Sequence, residues 1–282
     1  MRLCPLCSGS SGNASYLEAG GARLLLDAGG TGRRIESLLS EIGVPAASLD
    51  AILLTHEHID HVQGVGVLSR RYDLPVFAAA DCFAALPASV GAIAPGRMRV
   101  FEPDHPFFWR GVHILPFSIP HDSAHAVGYT FADGSGRCAV LTDVGCMSER
   151  LIGLVSGCDV LLLEANHDVD MLLSGSYPYP LKRRILSENG HLCNEDAAAT
   201  VVRLARIGMR EFILGHLSRE NNTPELAAVT VRAALKEAGF GDEVRVTVAR
   251  RDHATGFFPA GPAACAPAAA GAPARTGAGG RP

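Results

Sequence analysis

Residues Leu53 to Gly64 read LLTHEHIDHVQG, an apolar run that opens into three histidines, an aspartate and a glutamate between His56 and His61. Charged and imidazole groups crowded at the margin of a core are costly unless a species of opposite charge offsets them. A metal ion is the simplest such species. His56 and His58 lie two residues apart just beyond a strand, so extended backbone points both the same way and turns Glu57 to the other side. Asp60 and His61 fall where the chain enters the next helix, and Gly64 and Gly66 let that helix approach closely. One segment thus presents two ligand pairs to one hollow, and further ligands have to come from elsewhere.

They recur where later strands leave the core. FSIPHDS puts His121 behind an apolar strand, AVLTDVG puts Asp143 behind another, and FILGHLS puts His216 behind a third. Strand ends are where scaffolds present functional side chains. Between these points ARLLLDAG, DAILLTH, PVFAA, VHILPFSI, CDVLLLEA, EFILGH and VRVTVA read as strands. VGYTFADGSGRCAVLTD reads as a hairpin with a left-handed DGSG turn. TGRRIESLLSEIG, SERLIGLVSG, NEDAAATVVRLARIG and TPELAAVTVRAALKEAG read as helices. The last is capped by Thr223, with Pro224 in first position and Gly239 beyond its end. Two strand sets flanked by helices predict a four-layer αββα sandwich, an α/β (α+β) architecture in one domain over residues 1–258. From Pro259 the chain is Ala/Pro/Gly-rich without periodicity, so 259–282 is expected to be a disordered tail.

Composition narrows the class further. Hydrophobic residues make up 48% and charged residues 19%, enough for a substantial core. No stretch approaches the ~20 apolar residues of a spanning helix, so no membrane partner is expected. The N-terminal MRLCPLCSGS lacks an apolar signal region, which makes the cytoplasm the expected compartment. The eight cysteines, Cys4 and Cys7 among them, then read as reduced thiols. A net charge of −4 argues against a uniformly basic nucleic-acid binder but leaves room for a local groove. Lys182, Arg183 and Arg184 in LKRRIL form the densest basic cluster.

THEHIDH followed in order by His121, Asp143 and His216 resembles the metallo-β-lactamase fold, over nearly the whole chain up to Phe258. More narrowly, GSSGNASYLE, LLLEANHDVDML, YPLKRRILSENGHLCNEDAA and LGHLSRENNTPELA resemble the YycJ/WalJ branch of that superfamily. The resemblance implies an αββα sandwich with two divalent ions, and a metal-dependent DNA exonuclease acting from 5′ ends. Carried onto this sequence, it assigns His56, His58 and His121 to one ion and Asp60, His61 and His216 to the other, with Asp143 bridging. Imidazole and carboxylate ligands suit Zn²⁺ and equally Mn²⁺. Asp27, closing LLLDAG, is the expected acceptor for the second nitrogen of a ligand histidine.

Two divalent ions bring four positive charges, and Asp60, Asp143 and a bridging hydroxide return three. That balance favours a phosphodiester attacked by the hydroxide. The leaving oxygen then needs an acid, for which His191 in ENGHLCN is the candidate. It resembles the additional histidine of tRNA-processing members of the superfamily, and His167 in EANHD is a second candidate. SGSSGN, Ser8 to Asn13, is expected to bind phosphate through Ser10, Ser11 and Asn13. Ser218, Asn221 and Asn222, beyond His216, are expected to touch the nucleic-acid backbone, helped by Arg219 and the LKRRIL cations. The same signature admits an RNA-processing endonuclease of the tRNase Z type, a small-molecule phosphodiesterase, or a lactam or thiolester hydrolase. A non-catalytic metal-binding protein would lack a ligand, and all seven positions are filled.

Overall fold

The computed structural model describes residues 1–261. Residues 262–282, most of the expected tail, lie outside the described residues. The first sheet holds β1 (Arg2–Cys7), β2 (Ala14–Ala19), β3 (Ala22–Leu26), β4 (Ala51–Leu53), β5 (Val76–Ala79) and β6 (Met98–Phe101), with β14 (Phe258–Pro259) along its outer edge. The second holds β7 (Phe107–Trp109), β8 (Val112–Ser118), β9 (Val127–Asp133), β10 (Gly136–Leu141), β11 (Val160–Glu164), β12 (Glu211–Gly215) and β13 (Arg245–Val248). Both sheets follow one plan. Antiparallel pairing, β1 to β3 and β7 to β10, gives way to parallel pairing, β3 to β6 and β10 to β13.

Parallel neighbours need crossover connections, and helices supply most of them. They are α1 (Gly32–Glu41), α2 (Ile59–Val62), α3 (Val65–Tyr72), α4 (Ala80–Ala85), α5 (Glu149–Val155), α6 (Val169–Ser174), α7 (Tyr179–Ile185), α8 (Asn194–Arg206) and α9 (Pro224–Glu237). Alternation along each strand sorts its side chains between two cores. On β11, Val160 and Leu162 join the core between the sheets, while Leu161 and Leu163 face the outer core with α5, α8 and α9. The four layers expected from the sequence follow from that sorting.

Several local expectations hold. Thr223 Oγ1 accepts from Leu226 N at 3.1 Å, Pro224 opens α9, and Gly239 takes φ +86°. Gly64 and Gly66 do permit close approach: a Cβ would lie 2.5 Å from Gly30 O at the first and 2.2 Å from Val90 O at the second. Cys4 and Cys7 are buried in β1, and burial lifts the Cys7 thiol to about 11. All seven cysteines among the described residues are free.

Two expectations need correction. The DGSG turn has no left-handed glycine; the Asp133 carboxylate closes it by accepting from Ser135 N and Gly136 N at 2.8 and 3.2 Å. The ordered chain also continues past Phe258. Pro259 pairs with Arg2, and the buried Ala260 donates its N–H to Met1 O at 3.0 Å. No helix among the described residues is long and apolar enough to cross a membrane.

Candidate metal centre

Parallel strands bring their carboxyl ends to one edge, and open α/β sheets bind ligands there. The residues that leave those ends are Asp27 after β3, His56 after β4, Asp143 after β10, Glu164 closing β11 and His216 after β12. His121 follows β8. Asp27, Asp143 and His216 hold φ of 58°, 58° and 56°, a left-handed conformation uncommon outside glycine. In each case the chain turns sharply out of the sheet.

The seven side chains expected to bind metal come together. The His56 ring centroid lies 4.2 Å from His61, 4.6 Å from His58 and 5.0 Å from His121. Ligating atoms of His56, His58 and His121 fall within 4.8 Å of one another, as do those of Asp60, His61 and His216. Asp143 sits between the two groups, with Oδ2 3.2 Å from His61 Nε2 and Oδ1 3.8 Å from His121 Nε2.

One nitrogen of most of these imidazoles is already engaged. Asp27 Oδ2 holds His61 Nδ1 at 2.8 Å. Thr55 Oγ1 reaches His56 Nδ1 at 3.0 Å and is itself fixed to Asp27 at 2.8 Å. Gly190 O holds His121 Nδ1 at 3.2 Å, and Glu164 Oε1 holds His216 Nδ1 at 2.7 Å. The Nε2 atoms of His56, His121 and His216, and Asp143 Oδ2, are buried without a hydrogen-bond partner. Buried polar atoms are normally satisfied, so four orphans aimed at one hollow fit a cation. Nitrogen and carboxylate donors with outer partners already fixed make a site for divalent metal.

The electrostatics agree. Burial opposes ionisation of Asp60, Asp143 and Glu164, but the facing imidazoles outweigh it and hold all three below the ordinary carboxylate range. Burial likewise pushes His61 down, yet Asp143, Asp27 and Asp60 lift it to about 9. For His56 burial and the neighbouring histidines act together, and it falls well below its usual value.

Glu164 is the residue of this cluster that sequence reasoning misses. It is fully buried, and its Oε1 is shared by His216 Nδ1 at 2.7 Å and His191 Nδ1 at 2.9 Å. Oε2 accepts from Val144 N and Leu192 N at 2.9 and 3.1 Å. His191 itself lines the cavity with 20% of its side chain exposed, and Cys193 caps α8. A glutamate ending the apolar run VLLLE carries no sequence signal beyond its place in line with the other strand ends.

The expected substrate contacts divide. Ser10 and Ser218 line the cavity, and Ser11 is exposed beside Ser10. Asn13 is buried, closing its own turn on Gly9 and reaching His61 Nε2 at 3.1 Å. Asn221 and Asn222 are buried too, and neither lines the cavity. Asn222 pairs its amide with Asn194 and donates to Ala165 O, while Asn221 bonds Ser218. Lys182 is likewise spent within the fold, donating to Leu173 O and Gly175 O, both at 2.7 Å. His167 is 1% exposed, neither of its ring nitrogens has a hydrogen-bond partner, and it does not line the cavity.

His167 has a different consequence. Burial holds its protonation down to about 4, against an ordinary value near 6.5. Between those values the unfolded chain takes up a proton that the folded chain refuses, so stability present above 6.5 is lost as pH falls towards 4. The difference corresponds to roughly 3 kcal/mol. Urea midpoints at pH 7.5 and 4.5 should therefore separate less in His167→Leu than in the parent protein; equal separations would remove this account.

A four-layer sandwich with this array along one edge is a metal-dependent hydrolase of the metallo-β-lactamase fold. Residues 22–217 match the beta-lactamase superfamily domain, ending just past His216. The chain belongs to that superfamily. It is 43% identical over 238 residues to the exodeoxyribonuclease WalJ of Streptococcus pneumoniae serotype 2, covering 84% of this chain and 88% of that protein. It is 39% identical over 236 residues to the exodeoxyribonuclease YycJ of Bacillus anthracis, covering 84% and 89%. Zinc-bound PqqB from Methylobacterium extorquens has the same fold, with a TM-score of 0.68 at 18% identity over 91% of this chain and 100% of that one.

Proposed function

We propose that this chain is a dinuclear metal-dependent exodeoxyribonuclease that removes nucleotides from 5′ ends. The observation that carries the reading is the convergence of seven ligating side chains, four of whose atoms are buried orphans. His56, His58 and His121 would hold one ion, Asp60, His61 and His216 the other, with Asp143 between them. Divalent ions in such a site lower the pKa of coordinated water towards ~7 and neutralise charge on phosphoryl oxygens. The chain's own residues do the remaining work. Thr55, Asp27, Gly190 and Glu164 fix the imidazoles, so little reorganisation is needed when a phosphodiester arrives. Glu164 holds His191 Nδ1, which leaves Nε2 to pass a proton to the leaving oxygen. DNA is preferred over RNA because the long-range relatives are named exodeoxyribonucleases.

The test combines metal analysis with a cleavage ladder on end-labelled duplex DNA, in Zn²⁺ or Mn²⁺, beside a precursor tRNA. About two ions per chain and stepwise loss from the 5′ end are expected. Cleavage of the tRNA alone would replace this reading with an RNA-processing one.

A further inference from the structure

Two parts of the cavity lining differ in chemistry. One carries the small hydroxyls of Ser10 and Ser218. The other is built from one segment, residues 177–191, and presents Tyr177, Leu181, Arg184 and Ile185 before reaching His191. That segment is closed on itself at one point and anchored to the catalytic edge at two. Gly190 leaves no room for a Cβ, which would lie 2.1 Å from Ile185 O, and His191 N donates to the same oxygen at 3.0 Å. Gly190 O in turn holds His121 Nδ1. The guanidinium of Arg184 bonds Asp122 Oδ2 through Nε, and Asp122 Oδ1 lies 3.5 Å from His121 Nε2. Among the described residues nothing engages the two terminal nitrogens of Arg184, whose side chain is 54% exposed.

We propose that this wall is the subsite for the terminal nucleotide, with Tyr177 against the face of the base and Arg184 on the terminal phosphate. The inference rests on the nuclease reading above and adds the residues that recognise the strand end. An aromatic ring gives a sequence-tolerant platform, because every base has a π face. A guanidinium with two unengaged nitrogens matches the paired oxygens of a phosphate. Asp122 orients that fork from behind without occupying it. Because α7 and His191 share the bond to Ile185 O, recognition of the end is held in register with the proton donor.

The test uses the full chain and three substrates: 5′-phosphorylated duplex DNA, the same duplex with a 5′-hydroxyl, and the phosphorylated duplex with an abasic 5′-terminal nucleotide. Tyr177→Ala should raise KM for the first two by ~10-fold, the scale of one lost stack, and leave KM for the abasic end unchanged. Tyr177→Phe should restore the parent KM. Arg184→Gln should erase the preference for a 5′-phosphate while the 5′-hydroxyl duplex is still cut. A parent-like KM in Tyr177→Ala overturns the inference, as does a 5′-phosphate preference that survives in Arg184→Gln. A fall in kcat alone in Arg184→Gln also overturns it, since the residue would then act through Asp122 on His121. Failure of the parent protein to cut any of the three substrates would instead sink the nuclease reading itself.

Discussion

Asp143→Asn is expected to lose turnover on both DNA and bis-p-nitrophenyl phosphate while keeping its fold. Asparagine has nearly the same shape and tolerates the left-handed backbone that residue 143 adopts at φ 58°. What it lacks is charge. Asp143 lies 3.2 Å from His61, 3.4 Å from His216 and 3.8 Å from His121, so among the described residues it is the one carboxylate that faces both groups of candidate ligands. Removing an outer partner of a metal site costs 10–100-fold, and removing a shared ligand should cost more, roughly 10³-fold in rate. Metal content should fall from about two ions per chain towards one, with circular dichroism unchanged. Two retained ions and a near-parent rate would end the bridging role.

The second large effect is expected at Glu164. One carboxylate serves four donors: the Nδ1 atoms of His191 and His216, and the backbone N–H groups of Val144 and Leu192. Glu164→Gln turns one oxygen into a donor, so an N–H group must face another N–H in a fully buried site. Unpaired buried groups of this kind cost about 1–3 kcal/mol each in stability. The rate should drop by ~10²–10⁴, the range supplied by a positioned acid. His191→Ala should lower the rate comparably without disturbing metal content, because His216 keeps its carboxylate. In the double variant the losses should overlap through the shared proton donor and stop short of multiplying, with Glu164→Gln keeping its separate effect through His216. Additive losses measured in single-turnover cleavage would separate the two residues.

Much of the centre is legible in the sequence because parallel strands end in register. Each apolar run that stops at His56, Asp143 or His216 marks the same edge of the sandwich, and polar residues there stand out against the core. Glu164 obeys the same rule, yet a lone glutamate after VLLL is indistinguishable from a solvated strand end. Asn221 and Asn222 mislead in the opposite sense. They sit just beyond His216 in HLSRENN, but Asn222 is used up by buried amide pairing with Asn194, and Asn221 by bonds to Ser218. The left-handed backbone at Asp27, Asp143 and His216 leaves no trace in residue type beyond the tolerance of aspartate for that region. β6 and β7 are missed for another reason: they are four- and three-residue edge strands with mixed exposure, too short to display a period. Six-residue helices such as α4 and α6 fail the same way.

The matching plan of the two sheets has a mechanical corollary. On the proposed assignment each cation draws side chains from both: His56 and His58 against His121, and Asp60 and His61 against His216. A bound ion is then a rivet through the seam, and stripping it with chelator should loosen the sandwich as well as silence it. At free metal a thousandfold above Kd, each rivet adds about 4 kcal/mol to the native state. Amide exchange after chelation should accordingly quicken first along the loops beyond β4, β8 and β12, while the far ends of the same strands stay shut.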